Sequence, residues 1–139
     1  SVDVGTNQLH EKLKKEKKII SFENLNAKYL DTSIISEKID LVVCDVSFIS
    51  LKKVIMPNLK FLSKNSEIIA LIKPQFETKK INLKKGVVKD KMIHEEVCDD
   101  IKKWFRQKCK ADVKGLIKSP ITGPKGNVEF LIYSLLKKS

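Results

Sequence analysis

Three ionisable residues stand at the ends of apolar runs. Asp45 lies near the close of IDLVVCDV, residues 39–46. Lys73 closes EIIALIK, residues 67–73, directly before Pro74. Glu129 stands near the start of VEFLIYSL, residues 128–135. A lysine between two carboxylates can hold an oxygen nucleophile or take its proton, and the acids can orient the ammonium. Each residue also has a bland reading. Asp45 could cap a turn, Lys73 could snorkel to solvent, and Glu129 could sit on an exposed strand face. A charge inside an apolar strand is costly unless paired, which argues against the last.

The elements decide whether the three can meet. Short apolar runs alternate with amphipathic stretches, so the chain reads as α/β. Residues 1–4 read as the end of a strand, 7–18 as a helix with Leu9 and Leu13 on one face, and 19–22 as a short strand. The run 39–46 has the near-continuous apolar pattern of a parallel strand buried on both faces. Residues 50–62 read as a helix, 67–73 as the next buried strand, and 77–91 as a lysine-rich loop. In 94–108, Val97, Ile101, Trp104 and Phe105 fall on one helical stripe. Residues 113–117 and 128–135 are strands joined by the turn-rich SPITGPKGN.

That last connection has no room for a helix, so these two strands should be antiparallel neighbours. The other strands should run parallel, joined by right-handed crossovers. Asp45 and Lys73, 28 residues apart, then sit at two carboxyl ends, one βαβ unit apart. Glu129 begins a strand that runs the other way, so it reaches the same edge. Asp3 falls there too. In open parallel sheets this is the edge where ligands bind.

Composition bounds the function. The chain has 139 residues, which suits one domain, 1–139. Its formal net charge is +11, yet Arg106 is the only arginine among 28 basic residues. Arginine is the residue favoured for bidentate phosphate recognition, so charge alone leaves RNA contact and a solvated lysine surface both open. No apolar run approaches the ~20 residues that span a bilayer. The start SVDVG has no secretory-signal pattern, and three cysteines without CxxC spacing suggest a reducing cytoplasm.

Other residues carry less. His94 and Cys98 lack a third metal ligand and read as a helix start. Cys44 reads as core. Trp104 and Phe105 read as core rather than as a stacking platform. Gly123, Gly126 and Asn127 need only turn chemistry, although TGPKGN could also bring backbone N–H groups to a ligand. The lysines at 79, 80, 84, 85, 89 and 91 lie in a long loop beside the proposed edge and favour substrate phosphate contact.

Seven strings then resemble one family: VDVG at 2–5, NAKYL at 26–30, DVSFISLKKV at 45–54, LIKPQFE at 71–77, KKGVVKD at 84–90, HEEV at 94–97 and SPITGPKGNVEFL at 119–131. Together, and in this order, they resemble the hemolysin A (TlyA) family of FtsJ-like ribosomal RNA methyltransferases. The resemblance implies a class I, Rossmann-like sheet with an antiparallel last strand. It implies S-adenosyl-L-methionine as cofactor and ribose 2′-O-methylation of ribosomal RNA, or of ribosomal subunits, as the reaction. It matches a Lys–Asp–Lys–Glu tetrad to Asp45, Lys73 and Glu129. Asp3 looks like the acid on the cofactor ribose and Asn26 like a residue beside the adenine, and Asp45 would count as cofactor-binding too, balancing charge around the sulfonium. Lys79, Lys80, Lys84, Lys85 and Lys89 would meet RNA.

The resemblance is incomplete. The family's first strand, its GxSTGGF-type cofactor loop and the tetrad's first lysine would lie upstream of Ser1, as would a small RNA-binding domain. Residues 1–139 are thus expected to be the carboxy-terminal part of a methyltransferase domain, inactive or nearly so alone. Two other classes stay in view: a non-catalytic basic RNA-binding fragment and a membrane-lytic hemolysin. For the second, the helix expected at 7–18 offers only Leu9 and Leu13 as anchors.

Overall fold

The computed structural model describes residues 1–137. The chain divides into two compact units, one of residues 1–36 and one from Glu37 onward.

In the first unit, the two expected strands meet in a single parallel bridge between Val2 and Phe22. The Asp3 N–H bonds the Phe22 carbonyl at 3.0 Å, and the Phe22 N–H bonds that of Ser1 at 2.9 Å. The helix expected over 7–18 shrinks to α1, Glu11–Lys14, capped by His10 Nδ1. The reason is energetic. Short helices are held by packing rather than by propensity. Here five lysines crowd residues 12–18, and no α1 residue is buried. Lys14 pairs with Glu23 at 3.0 Å instead of supporting the helix.

The second unit is a four-stranded sheet in the order β1-β2-β4-β3. Its strands are β1 (Ile39–Cys44), β2 (Leu62–Ile72), β3 (Ala111–Lys118) and β4 (Phe130–Lys137). β1 and β2 are parallel, and β4 lies antiparallel between β2 and β3. The last two strands are therefore antiparallel neighbours, as the short connection requires. β1, β2 and β3 share one direction.

Three helices connect the strands: α2 (Leu51–Asn58), α3 (Pro74–Glu77) and α4 (Lys91–Gln107). α4 starts on the Asp90 cap and buries Val97, Ile101 and Phe105 of the expected stripe, whereas Trp104, expected in the core, is only half-buried. Ile68, Ile72, Ile101, Phe105 and Ile132 are fully buried and form the centre of the core. α2 is shorter than expected. Pro57 within it has no N–H to continue the ladder, and a 3₁₀ turn, Leu59–Phe61, leads straight into β2. β2 begins five residues before the expected strand, at Leu62. Its polar start, Ser63-Lys64-Asn65, hid it from a hydrophobicity reading.

Within the described residues the run 39–46 is not buried on both faces. β1 is an edge of this sheet, and Leu41 and Val43 are 48% and 69% exposed. The sheet is one-sided. Ile68, Ala70 and Ile72 of β2 and Ile132, Ser134 and Leu136 of β4 are buried. The alternate residues, Val43 beside Ile69 beside Tyr133, face the more open side.

Candidate functional site

The carboxyl edge of the sheet gathers Asp45, Lys73 and Glu129; Asp3, expected there too, belongs to the first unit. Asp45 follows β1 and Lys73 follows β2. Lys73 Nζ lies 2.6 Å from Asp45 Oδ1. It also donates to Ser47 Oγ at 3.0 Å. The lysine side chain is 11% exposed and the aspartate 62% exposed, so the ammonium is held inside while the carboxylate meets solvent. The snorkelling reading of Lys73 does not hold. A buried ammonium with two oriented acceptors is a fixed donor, unlike a mobile surface lysine.

Glu129 comes to the same edge. The β2–β4 register ends with Ile72 opposite Phe130, so Lys73 and Glu129 occupy the next facing positions. Glu129 is 6% exposed, which disposes of the exposed-face reading. Its side-chain partner is Gln75, whose Nε2 donates to Oε1 at 3.0 Å. Its backbone carbonyl accepts from the Ser119 N–H at 2.9 Å, which ties in the end of β3. Lys73 and Asp45 form an ion pair, and Glu129 sits apart from that pair in its own hydrogen bond.

Local sequence explains the loop that carries Asp45. Ser50 caps α2 through its hydroxyl, and Glu77 from the end of α3 accepts both Ser50 Oγ at 2.6 Å and the Leu51 N–H at 2.8 Å. The segment Lys73–Glu77 thus grips the segment Asp45–Leu51 at two points. Phe48 stands between them with φ +64°, 90% exposed, its ring 5.1 Å from that of Phe76. Burial pushes the Glu77 carboxyl above its ordinary value, against the lowering pull of the Ser50 and Leu51 bonds. Ser47, Phe48, Gln75 and Glu77 were not singled out by the sequence reading. Their only signal was their place within DVSFISL and LIKPQFE.

The remaining candidates fall into two groups. Lys79, Lys80, Lys84, Lys85 and Lys89 are all exposed, and none forms an ion pair among the described residues. Asn127, expected to need only turn chemistry, does more. Buried at 3% exposure, it accepts from the Val88 N–H at 3.1 Å and donates to the Gly86 carbonyl at 3.0 Å. It fastens the lysine loop to the strand entry that carries Glu129. His94 supports the same loop, its Nε2 lying 2.8 Å from the Val88 carbonyl. Among the described residues, no three of the His, Cys, Asp and Glu side chains group to hold a metal.

Asp3 and Asn26 belong to the first unit. Asp3 Oδ1 accepts from the Gly5 N–H at 2.8 Å, and the Leu25 N–H bonds the Asp3 carbonyl at 3.0 Å. Those bonds bring the two segments side by side. Asp3 keeps its second carboxylate oxygen as an acceptor, the chemistry that a ribose diol needs. Asn26 uses its side-chain oxygen to cap Lys28, leaving its amide N–H groups as donors suited to an adenine edge. The donor set fits the ribose and adenine end of a nucleoside cofactor.

The chain is an α/β protein whose mixed sheet carries Asp45, Lys73 and Glu129 at one strand edge. The chain matches the FtsJ-like methyltransferase family over residues 1–135 and belongs to it. It is 41% identical to the 23S rRNA (cytidine-2′-O)-methyltransferase TlyA of Campylobacter jejuni, over 96% of this chain and 51% of that protein. It is 33% identical to hemolysin A of Brachyspira hyodysenteriae, over 98% of this chain and 57% of that protein. A solved structure described as a hemolysin from Streptococcus thermophilus superposes with a TM-score of 0.92 at 37% identity, over 99% of this chain and 50% of that one. The chain spans about half the length of the curated relatives it matches. No helix among the described residues is long and apolar enough to cross a membrane.

Proposed function

We propose that the protein takes part in ribose 2′-O-methylation of ribosomal RNA, in the cytoplasm, with S-adenosyl-L-methionine as cofactor. The observation that carries this reading is the buried Lys73 ammonium held at 2.6 Å by Asp45 and at 3.0 Å by Ser47. Family membership and relatives with rRNA methyltransferase names support it.

The chemistry asks for such a group. A ribose hydroxyl is a weak nucleophile and must lose its proton as its oxygen attacks. The cofactor, when bound, supplies a methyl group on a sulfonium. Lys73 Nζ holds the hydroxyl oxygen; to receive the hydroxyl proton as well, the ammonium must first give one of its own protons to solvent and act as the neutral amine. Asp45 and Ser47 orient Lys73, and Glu129, held by Gln75, adds negative charge at the same edge. Asp3 and Asn26 hold the ribose and adenine end of the cofactor. The exposed lysines of residues 79–89 meet RNA phosphates.

The test is a chimera in which residues 1–139 replace the matched half of the Campylobacter jejuni relative. With labelled cofactor and ribosomal subunits, the chimera should leave label on a ribose 2′-oxygen. Lys73→Ala should abolish transfer and spare cofactor binding. A chimera that folds and binds cofactor without transfer would overturn the reading. Transfer retained by Lys73→Ala would remove Lys73 from the chemistry.

A further inference from the structure

Gln75 is the second residue of α3 and is 7% exposed. Its side-chain Nε2 donates to Glu129 Oε1 at 3.0 Å. Its own Oε1 is buried with no partner among the described residues. An amide buried with one half unpaired costs free energy that a methionine of similar size would not. The N–H presented to the carboxylate is what glutamine offers and methionine does not.

The same carboxylate decides a second position. A Cβ on Gly123 would meet Glu129 Oε1 at 2.1 Å and Cδ at 2.7 Å. Gly123 has φ −78°, which any residue can adopt, so the backbone does not require glycine there. The space taken by the Glu129 carboxylate requires it. Residues from two separate segments are thus fitted to one orientation of one acid.

We propose that Gln75 is a positioning residue that fixes the Glu129 carboxylate at the sheet edge, with Gly123 providing the room. The catalytic meaning rests on the reading of Glu129 as a site acid, but the positioning itself can be tested without any methyl transfer.

The experiment compares carbon-detected NMR spectra of this chain and of its Gln75→Met variant at one neutral pH. Loss of the N–H donor should move the Glu129 side-chain carboxyl carbon signal, because a hydrogen bond to a carboxylate oxygen withdraws charge from it. Lys73, at the facing register position, is untouched by the change. The exposed carboxyls of Glu95 and Asp99 should keep their signals. An unmoved Glu129 carboxyl signal in a folded Gln75→Met overturns the proposal. If that variant does not fold, Gly123→Ala serves, since it displaces the carboxylate and leaves Gln75 in place. It should shift both the Glu129 carboxyl signal and the Gln75 side-chain amide signals, and invariance of both overturns the proposal. A shifted Glu129 signal beside an inactive chimera would leave the positioning intact and refute only the catalytic role.

Discussion

The Glu77 carboxylate accepts the Ser50 hydroxyl at 2.6 Å, across 27 residues of sequence, and so caps the helix that follows Asp45 from the segment that follows Lys73. The two halves of the Lys73–Asp45 pair are carried by segments that are themselves clamped together.

The clamp predicts a pH dependence. Burial raises the Glu77 carboxyl above 4.5, so between that value and the raised one the folded state keeps a proton that the unfolded state has released. Stability attributable to Glu77 therefore falls as pH rises through that window, and the cost persists above it. Glu77→Gln keeps an acceptor for the Leu51 N–H and removes the titration. Its urea midpoint should vary less with pH across the window, and an unchanged slope would refute the assignment. Glu77→Ala, which removes the cap, should cost about 1 kcal/mol.

The lysine loop predicts a salt effect. With Lys79, Lys80, Lys84, Lys85 and Lys89 changed to glutamine, binding to a ribosomal RNA fragment should weaken and become less sensitive to salt. Each lysine that engages a phosphate should remove about 0.7 from the slope of log affinity against log salt. Fluorescence anisotropy across salt concentrations measures this. An unchanged slope would remove the loop from the RNA surface.

Asn127 predicts a local opening. Asn127→Ala loses the bonds to the Val88 N–H and the Gly86 carbonyl and leaves both groups without that partner. Stability should fall by about 2 kcal/mol. Hydrogen exchange at the Val88 amide should accelerate more than exchange in β2. Full protection of Val88 in the variant would show that the loop is held by something else.

The thiols predict inertness. Burial pushes Cys44 and Cys98 to about 11 and Cys109 to about 12. All three are free and buried. At pH 8 the folded chain should react slowly with a thiol reagent, and all three cysteines should react at once in denaturant. A fast-reacting thiol in the folded chain would contradict this.

Much of the frame was legible in the order of residues. The stripe of Val97, Ile101 and Phe105 reports burial on one helical face, because the helix period is local. The short SPITGPKGN connection leaves no room for a crossover helix, so β3 and β4 had to pair antiparallel. Asp45, Lys73 and Glu129 reached one edge through topology alone. The same local logic misled at β1. An apolar run states that a strand can be buried, and only its neighbours decide whether it is. It misled again at residues 7–18, where a helical pattern had too little apolar surface to be held.

The sequence alone determined the α/β alternation, the direction of the last strand and the edge where the three ionisable residues meet, because each follows from spacing along the chain. The tertiary structure decided which of them touch. It paired Lys73 with Asp45 and Ser47, gave Glu129 to Gln75, closed the loop of Asp45 with Glu77 and tied the lysine loop down through Asn127. Those contacts join residues 26 to 54 positions apart. They depend on strand register and on the room left by a glycine, and neither is written in any local pattern.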